Sequence, residues 1–204
     1  MSTDEMRGIQ ALERIAPTKP MRAGQVERRE FEYERHGTLS LIANFDVVSG
    51  GVVSPSIGPS RTEQDFAAHI GRTIELDPDG VWVFVVDQLN THQSESLVRL
   101  VAERCGLKEE LGEKGKSGVL KSMATRAAFL SEAAHRIQFV YLPKHTSWLN
   151  QVEMWFSILV RRVLKRGDFP SLEALHARIV EFIEYFNRTA EPFRWTYTGR
   201  PLVS

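Results

Sequence analysis

Six consecutive apolar residues, VWVFVV (81–86), run without alternation and stop abruptly at Asp87. Such a run suits a strand buried on both faces. RIQFVYLP (136–143) predicts a second strand, closed by its proline. GTLSLIANFDVVSGGVV (37–53) predicts two more strands joined by a Ser-Gly-Gly turn at 49–51. Helical spacing governs TEQDFAAHIGRTIEL (62–76), where Phe66, Ile70 and Ile74 share one side. SESLVRLVAERCG (94–106) has a Ser start and a Gly stop, and DPDG (77–80) is a turn. Two further helices are expected over roughly 150–165 and 171–188, the second leading into a C-terminal tail (171–204). In the first of these, Val152, Trp155, Phe156, Leu159 and Val163 face inward, while Asn150, Glu153 and Ser157 lie roughly on one polar face. Residues 5–37 carry many charges together with Pro17, Pro20 and Gly24, so they read as mostly irregular. Residues 107–135 read as an inserted basic segment, Gly-rich at first and ending in a short helix. The order of elements predicts one α/β domain over 1–204, built on a mixed central sheet flanked by helices.

Composition narrows the setting. No apolar run approaches the ~18 residues of a membrane helix, and the polar, partly acidic N-terminus is no signal peptide. Cys105 is the single cysteine, which excludes a disulfide framework and a cysteine metal cluster. It reads as a small buried helix residue in a reducing, cytoplasmic protein. The net charge is zero, but it is unevenly spread. Residues 38–107 hold 4 basic and 9 acidic side chains, and residues 108–204 hold 15 basic and 10 acidic. Such a chain could hold cations in one place and phosphates in another, or simply scatter charge over a solvated surface.

Several motifs can be set aside. GEKGKSG (112–118) lacks the first glycine of a phosphate loop, because Glu110 stands five positions before Gly115. The six histidines form no HExxH, and no GxSxG is present. Asp87 is different, since a buried strand ending in Asp puts a carboxylate where α/β sheets bind ligands. It could equally serve its own turn. Glu153 is the lone acid in PKHTSWLNQVEMWFSILVRR (143–162). Asn150 and Glu153 have the spacing of a capping box, which leaves Lys144, His145, Trp148, Arg161 and Arg162 unexplained. Paired carboxylates from separate elements suit hard divalent cations, as in two-metal phosphoryl transfer. A third acid is then expected from an early strand, and the residues alone do not choose among Asp4, Glu5, Asp46 and Asp65.

STDEMRGIQALER (2–14), FVVDQLNTHQSESLVRLVAE (84–103), FVYLPKHTSWLNQVEMWFSILVRR (139–162) and FIEYFNRTAEPFRWTYTGRPL (182–202) resemble the catalytic domain of DDE transposases of bacterial insertion sequences, in the mariner-like superfamily. The inserted LGEKGKSGVLKSMATRAAFLSEAAHRI also resembles one branch of it. The resemblance implies a ribonuclease H-like fold and maps the three catalytic, metal-holding acids onto Asp4, Asp87 and Glu153. It implies two Mg²⁺ ions, replaceable by Mn²⁺, that activate a water and later a DNA 3′-hydroxyl and stabilise the leaving oxygen. DNA, as transposon ends and target, is the implied partner, with a synaptic homodimer and TA target choice as superfamily expectations. Lys144, His145, Trp148, Asn150, Arg161 and Arg162 are the candidate DNA contacts; Trp148 either stacks on a base or fills core.

One departure matters. Relatives carry helix-turn-helix modules ahead of this domain, whereas here only Met1, Ser2 and Thr3 precede Asp4, where a central strand should run. The first strand is therefore expected to be truncated, and an upstream helix-turn-helix polypeptide is an expected partner. Two functions follow from this. One is a metal-dependent strand-transfer enzyme at the bacterial nucleoid. The other is an inactive remnant that binds DNA or a full-length transposase. A stand-alone nuclease of the same fold is a third reading.

Overall fold

The computed structural model describes residues 1–144 and 146–194. The tail beyond 194, which the sequence places after the last helix, lies outside them. Five strands, β1 (Ser2–Arg14), β2 (Tyr33–Phe45), β3 (Val52–Gly58), β4 (Trp82–Val86) and β5 (Ile137–Tyr141), form one sheet in the order β3-β2-β1-β4-β5. The β1–β2 and β2–β3 pairs are antiparallel, and β1–β4 and β4–β5 are parallel. Five α-helices, α1 (Glu63–Ile74), α2 (Glu95–Arg104), α3 (Met123–Leu130), α4 (Gln151–Leu159) and α5 (Leu172–Arg188), cover its two faces. This is the mixed, ribonuclease H-like arrangement that the resemblance implies.

β1 starts at the N-terminus, and its ladder with β4 is one register pair, Ser2↔Val85. Met1 extends that edge: its amino group donates to the Val83 carbonyl at 2.7 Å, and its own carbonyl accepts from Val85 N–H at 2.7 Å. Beyond Asp4 the strand runs on against β2 as far as Arg14. The reading of 5–37 as irregular is thus corrected at both ends. Ile9 and Ala11 are buried around an exposed Gln10, an alternation that the surrounding charges obscure. Only residues 15–32 form an arm, closed by the bridges Lys19↔Arg28 and Arg22↔Gln25. β4 also departs from expectation: Phe84 and Val86 are fully buried, but Val83 is 39% exposed, so the run is not covered on both faces.

Helix ends follow local chemistry. Thr62 and Asp65 form a capping box on α1, and the hydroxyls of Ser94 and Ser171 cap α2 and α5. Cys105 stands at the C-cap of α2, half-buried. One apolar cluster joins Ala11, Leu41 and Phe45 to Trp155 and Leu159 of α4 and Ile179 of α5. The other joins Phe84 and Phe139 to Phe66 of α1, Val98 of α2 and Leu130 of α3. The inserted segment therefore belongs to the core. Leu120, Phe129 and Leu130 are buried there, and the buried Arg126 donates to the carbonyls of Gln93 (2.6 Å) and Leu120 (3.1 Å). Among the described residues, no helix is long and apolar enough to cross a membrane.

The β2–β3 turn ties α5 to the sheet. Asn187 accepts from Val52 N–H at 2.9 Å and donates to its carbonyl at 2.8 Å. Gly50, at φ +78°, leaves room for the incoming chain, because a Cβ there would sit 2.1 Å from the Glu191 carbonyl oxygen. Gly50→Ala is expected to lower unfolding stability by about 1–3 kcal/mol through this clash and the left-handed backbone. Urea titration should show a lower midpoint with an unchanged slope.

Candidate active site

The sheet register assembles the first two acids. Ser2 pairs with Val85, and Asp4 and Asp87 each lie two residues further along neighbouring parallel strands. Side chains alternate with a period of two, so both carboxylates stand on the same face, about one strand spacing (~4.8 Å) apart. An oxygen of Asp4, an oxygen of Asp87 and a ring nitrogen of His92 all lie within 4.8 Å of one another.

The third acid arrives on α4, and β1 itself fixes the start of that helix. The Ser2 hydroxyl donates a short bond to Asn150 Oδ1 and accepts from Val152 N–H at 2.9 Å. Asn150 Nδ2 donates to the Thr3 carbonyl at 3.0 Å and to Asp4 Oδ2 at 3.3 Å. Asn150 makes no side-chain cap on its own helix, so the capping-box reading is corrected. Its amide is spent on β1, and a serine hydroxyl from β1 serves the α4 amide in its place. Glu153, one residue past Val152, is thereby brought near enough to Asp4 for its charge to raise the Asp4 carboxyl.

Electrostatics separates the three acids. Burial pushes the Asp4 carboxyl up to about 7; the Asp87 and Glu153 charges add to this, and the Glu5 backbone amide and His92 oppose it. Burial also raises Glu153, helped by the Asp87 charge and resisted by its bond to Asp4. Burial pushes Asp87 in the same direction, but the bonds from His92 and from the Leu89 amide outweigh it, so Asp87 stays below the usual carboxylate range. Asp4 and Glu153 are therefore the acids that take up a proton more readily, and Asp87 is the one held in its ionised form.

His92 explains the difference. It is fully buried, with Nδ1 2.8 Å from Asp87 Oδ1 and Nε2 3.7 Å from Glu5 Oε1. Burial disfavours its charge, yet the two carboxylates lift it to about 9. Its two carboxylate neighbours thus favour the protonated ring, while its position also puts a ring nitrogen among the acids as a possible metal ligand. The Glu5 side chain is 1% exposed and bonds Arg61 at 2.5 Å and Thr91 Oγ1 at 3.1 Å. Tyr141 O–H holds the His92 carbonyl at 2.8 Å. The carboxylate oxygens of Asp4, Asp87 and Glu153 are donors that suit hard divalent cations.

The other candidates fall in different places. Asn150 is buried beneath Asp4. Lys144 is exposed just past β5, Trp148 is 48% exposed, and His145 lies outside the described residues. Arg161 and Arg162 are exposed on a π-helical turn (Val160–Leu164) that continues α4. Asp46 bonds the amides of its own loop, and Asp65 serves the α1 cap. The residue reading missed Ser2, Arg61 and His92, and held Glu5 only as one candidate for the third acid. Only His92, five residues after Asp87, offered a local signal.

A family model described as DDE superfamily endonuclease matches residues 2–176. No curated protein matches the chain.

The raised Asp4 carboxyl has a consequence for pH. A carboxyl that binds its proton more tightly when folded adds stability in full below its ordinary value of 3.8, and loses it as pH rises through about 7. A cation that competes with the Asp4 proton should therefore stabilise most above 7. The rise in Tm on adding Mg²⁺ is expected to be larger one pH unit above 7 than one unit below, and Asp4→Asn should remove the difference. Equal shifts at both pH values would contradict a raised Asp4 carboxyl at the cation site.

Proposed function

Since the chain belongs to the DDE superfamily endonucleases, we propose that it is the catalytic domain of an insertion-sequence transposase, which cuts and joins DNA strands with Asp4, Asp87 and Glu153. One observation carries the reading. Carboxyl oxygens of Asp4 on β1 and of Asp87 at the end of β4 lie, with a ring nitrogen of His92, within 4.8 Å of one another, and Glu153 in the first turn of α4 is near enough for like charges among the three acids to raise Asp4 and Glu153. Such crowding is costly without a counter-ion and is a common mark of a working site. Two divalent cations held by these three acids, Mg²⁺ or Mn²⁺, would supply charge neutralisation and Lewis-acid stabilisation of the oxygens flanking the reacting phosphorus.

The remaining work falls to the chain. His92 holds the Asp87 carboxylate in one orientation and keeps it ionised. Asn150 does the same for one Asp4 oxygen. Cations held there would compete with the proton that the raised Asp4 carboxyl binds. Lys144, Trp148 and Arg161 lie exposed and are proposed to touch the DNA backbone, with His145 beside them in sequence. Because positioned oxygens and cations suffice for in-line displacement, no covalent protein–DNA intermediate is required. Recognition of transposon ends by a helix-turn-helix polypeptide, and a synaptic dimer, complete the proposal on the strength of the resemblance.

In a cleavage and strand-transfer assay on terminal-repeat DNA, Asp87→Asn and Glu153→Gln are each expected to lower the rate by more than the roughly 10–100-fold typical of losing an outer metal partner. Duplex binding should hardly change. Near-wild-type rates from either variant, or full activity in chelator, would defeat the assignment.

A further inference from the structure

We propose that a second anion site, formed where the π-helical turn after α4 meets α5, holds the phosphate backbone of duplex DNA at a distance from the cutting acids. This inference rests on the DNA-cleaving reading above.

The observations begin with the groove. Arg162, Arg166 and Arg178 line one cavity of about 320 Å³. Arg162 and Arg178 also line an adjoining cavity of about 270 Å³, which ends at Tyr185. Arg178 and Tyr185 lie seven residues apart on α5, about 10 Å at 1.5 Å per residue, so the strip follows the helix. Arg178 is held by Glu181 at 2.6 Å. The Asp168 carboxylate at the groove edge is engaged by Arg14 N–H at 2.8 Å. Arg162 and Arg166 make no hydrogen bond or close ion pair among the described residues, although Arg166 is near enough to Glu27 to help lower its carboxyl. Three guanidinium groups thus face one cleft, and the two acids beside them are already engaged. Tyr185 stands 65% exposed at the end of the strip. Clustered guanidinium groups beside an exposed aromatic ring suit a phosphate backbone with sugar or base faces alongside.

The backbone at this place is unusual. Residues 160–164 wind as a π-helix, with Lys165 N–H donating to the Val160 carbonyl at 2.8 Å. An α-helix would be the cheaper conformation, and π turns gather at functional sites. The corner beyond is also shaped closely. A Cβ on Gly167 would come within 2.1 Å of the Phe169 ring, which is tucked into the core beneath the arginines.

The length of the strip favours DNA over a small anion. The two adjoining cavities follow α5 from Arg178 to Tyr185, about 10 Å. At 3.4 Å of rise per nucleotide that is about three backbone phosphates rather than one.

The test is duplex binding by the 204-residue chain, followed by fluorescence anisotropy across a salt series. Arg162→Ala with Arg178→Ala is expected to weaken binding about tenfold or more, equally on terminal-repeat and scrambled duplexes, and to reduce the salt slope by about 2, one per phosphate contact. The double Lys variant should recover most of the affinity, because charge is retained. Glu181→Gln, which removes an acid from the groove, should tighten binding. A wild-type slope in the double Ala variant, with Tm unchanged, overturns the groove and leaves the acid-site reading intact. Failure of the wild-type chain to bind duplex DNA at any salt overturns both. A larger effect on duplex RNA than on DNA overturns the assignment to DNA.

Discussion

The buried joint between Ser2 and the start of α4 is the constraint on which the site depends. One hydroxyl donates to Asn150 and accepts from Val152 N–H, and the Asn150 amide returns to Thr3 and Asp4. Every group in this joint is buried, so an unmade bond would cost about 1–3 kcal/mol. That cost fixes the rotation and height of α4 against β1. The packing of Val152, Trp155 and Leu159 into the sheet follows from the same placement, and so does the meeting of Glu153 with Asp4. A side-chain cap from Asn150 itself would have satisfied the helix equally well, but would have left its position over the sheet unspecified.

A second constraint is charge. Asp87, His92, Glu5 and Arg61 form a row of alternating sign, mostly out of water. Each member is paid for by its neighbour, and breaking such a buried pair typically costs about 3–5 kcal/mol. The row bonds directly to Asp87, whereas at Asp4 the nearby His92 does not outweigh burial and the charges of the other acids. The opposite shifts of the acids follow directly: Asp87 goes down, and the other two go up.

Much of this was legible in the sequence, and the gaps have physical causes. Strands β4 and β5, helices α1 and α2, and the inward face of α4 follow from local periodicity and caps, which act within a few residues. Asp87 was visible because an apolar run ends on it. β1 was hidden because its buried positions alternate with charges that serve the site and the β2 ladder; Glu5 reads as surface although its side chain is 1% exposed. Asn150 was misread because its partners are Ser2, Thr3 and Asp4, nearly 150 residues away. No local rule reports a cap supplied by another strand. Asp4 was reached only through the resemblance, since nothing short of the Ser2↔Val85 register distinguishes it from Asp46 or Asp65.

The uneven charge of the chain acquires a structural meaning from the helix that bears Glu153. The first turn of α4 carries its one acid, where the positive end of the helix dipole favours a carboxylate. The π-helical continuation carries arginines instead, at the opposite end of the same rod. Trp155, Phe156 and Leu159 bury the middle of that rod against the sheet, so its two ends cannot move independently. A lone carboxylate in a basic, aromatic stretch is then what such a rod requires. One end carries the acid and is held by β1; the other carries exposed arginines while its Val163 still packs into the core. The apolar stripe between them sets the distance.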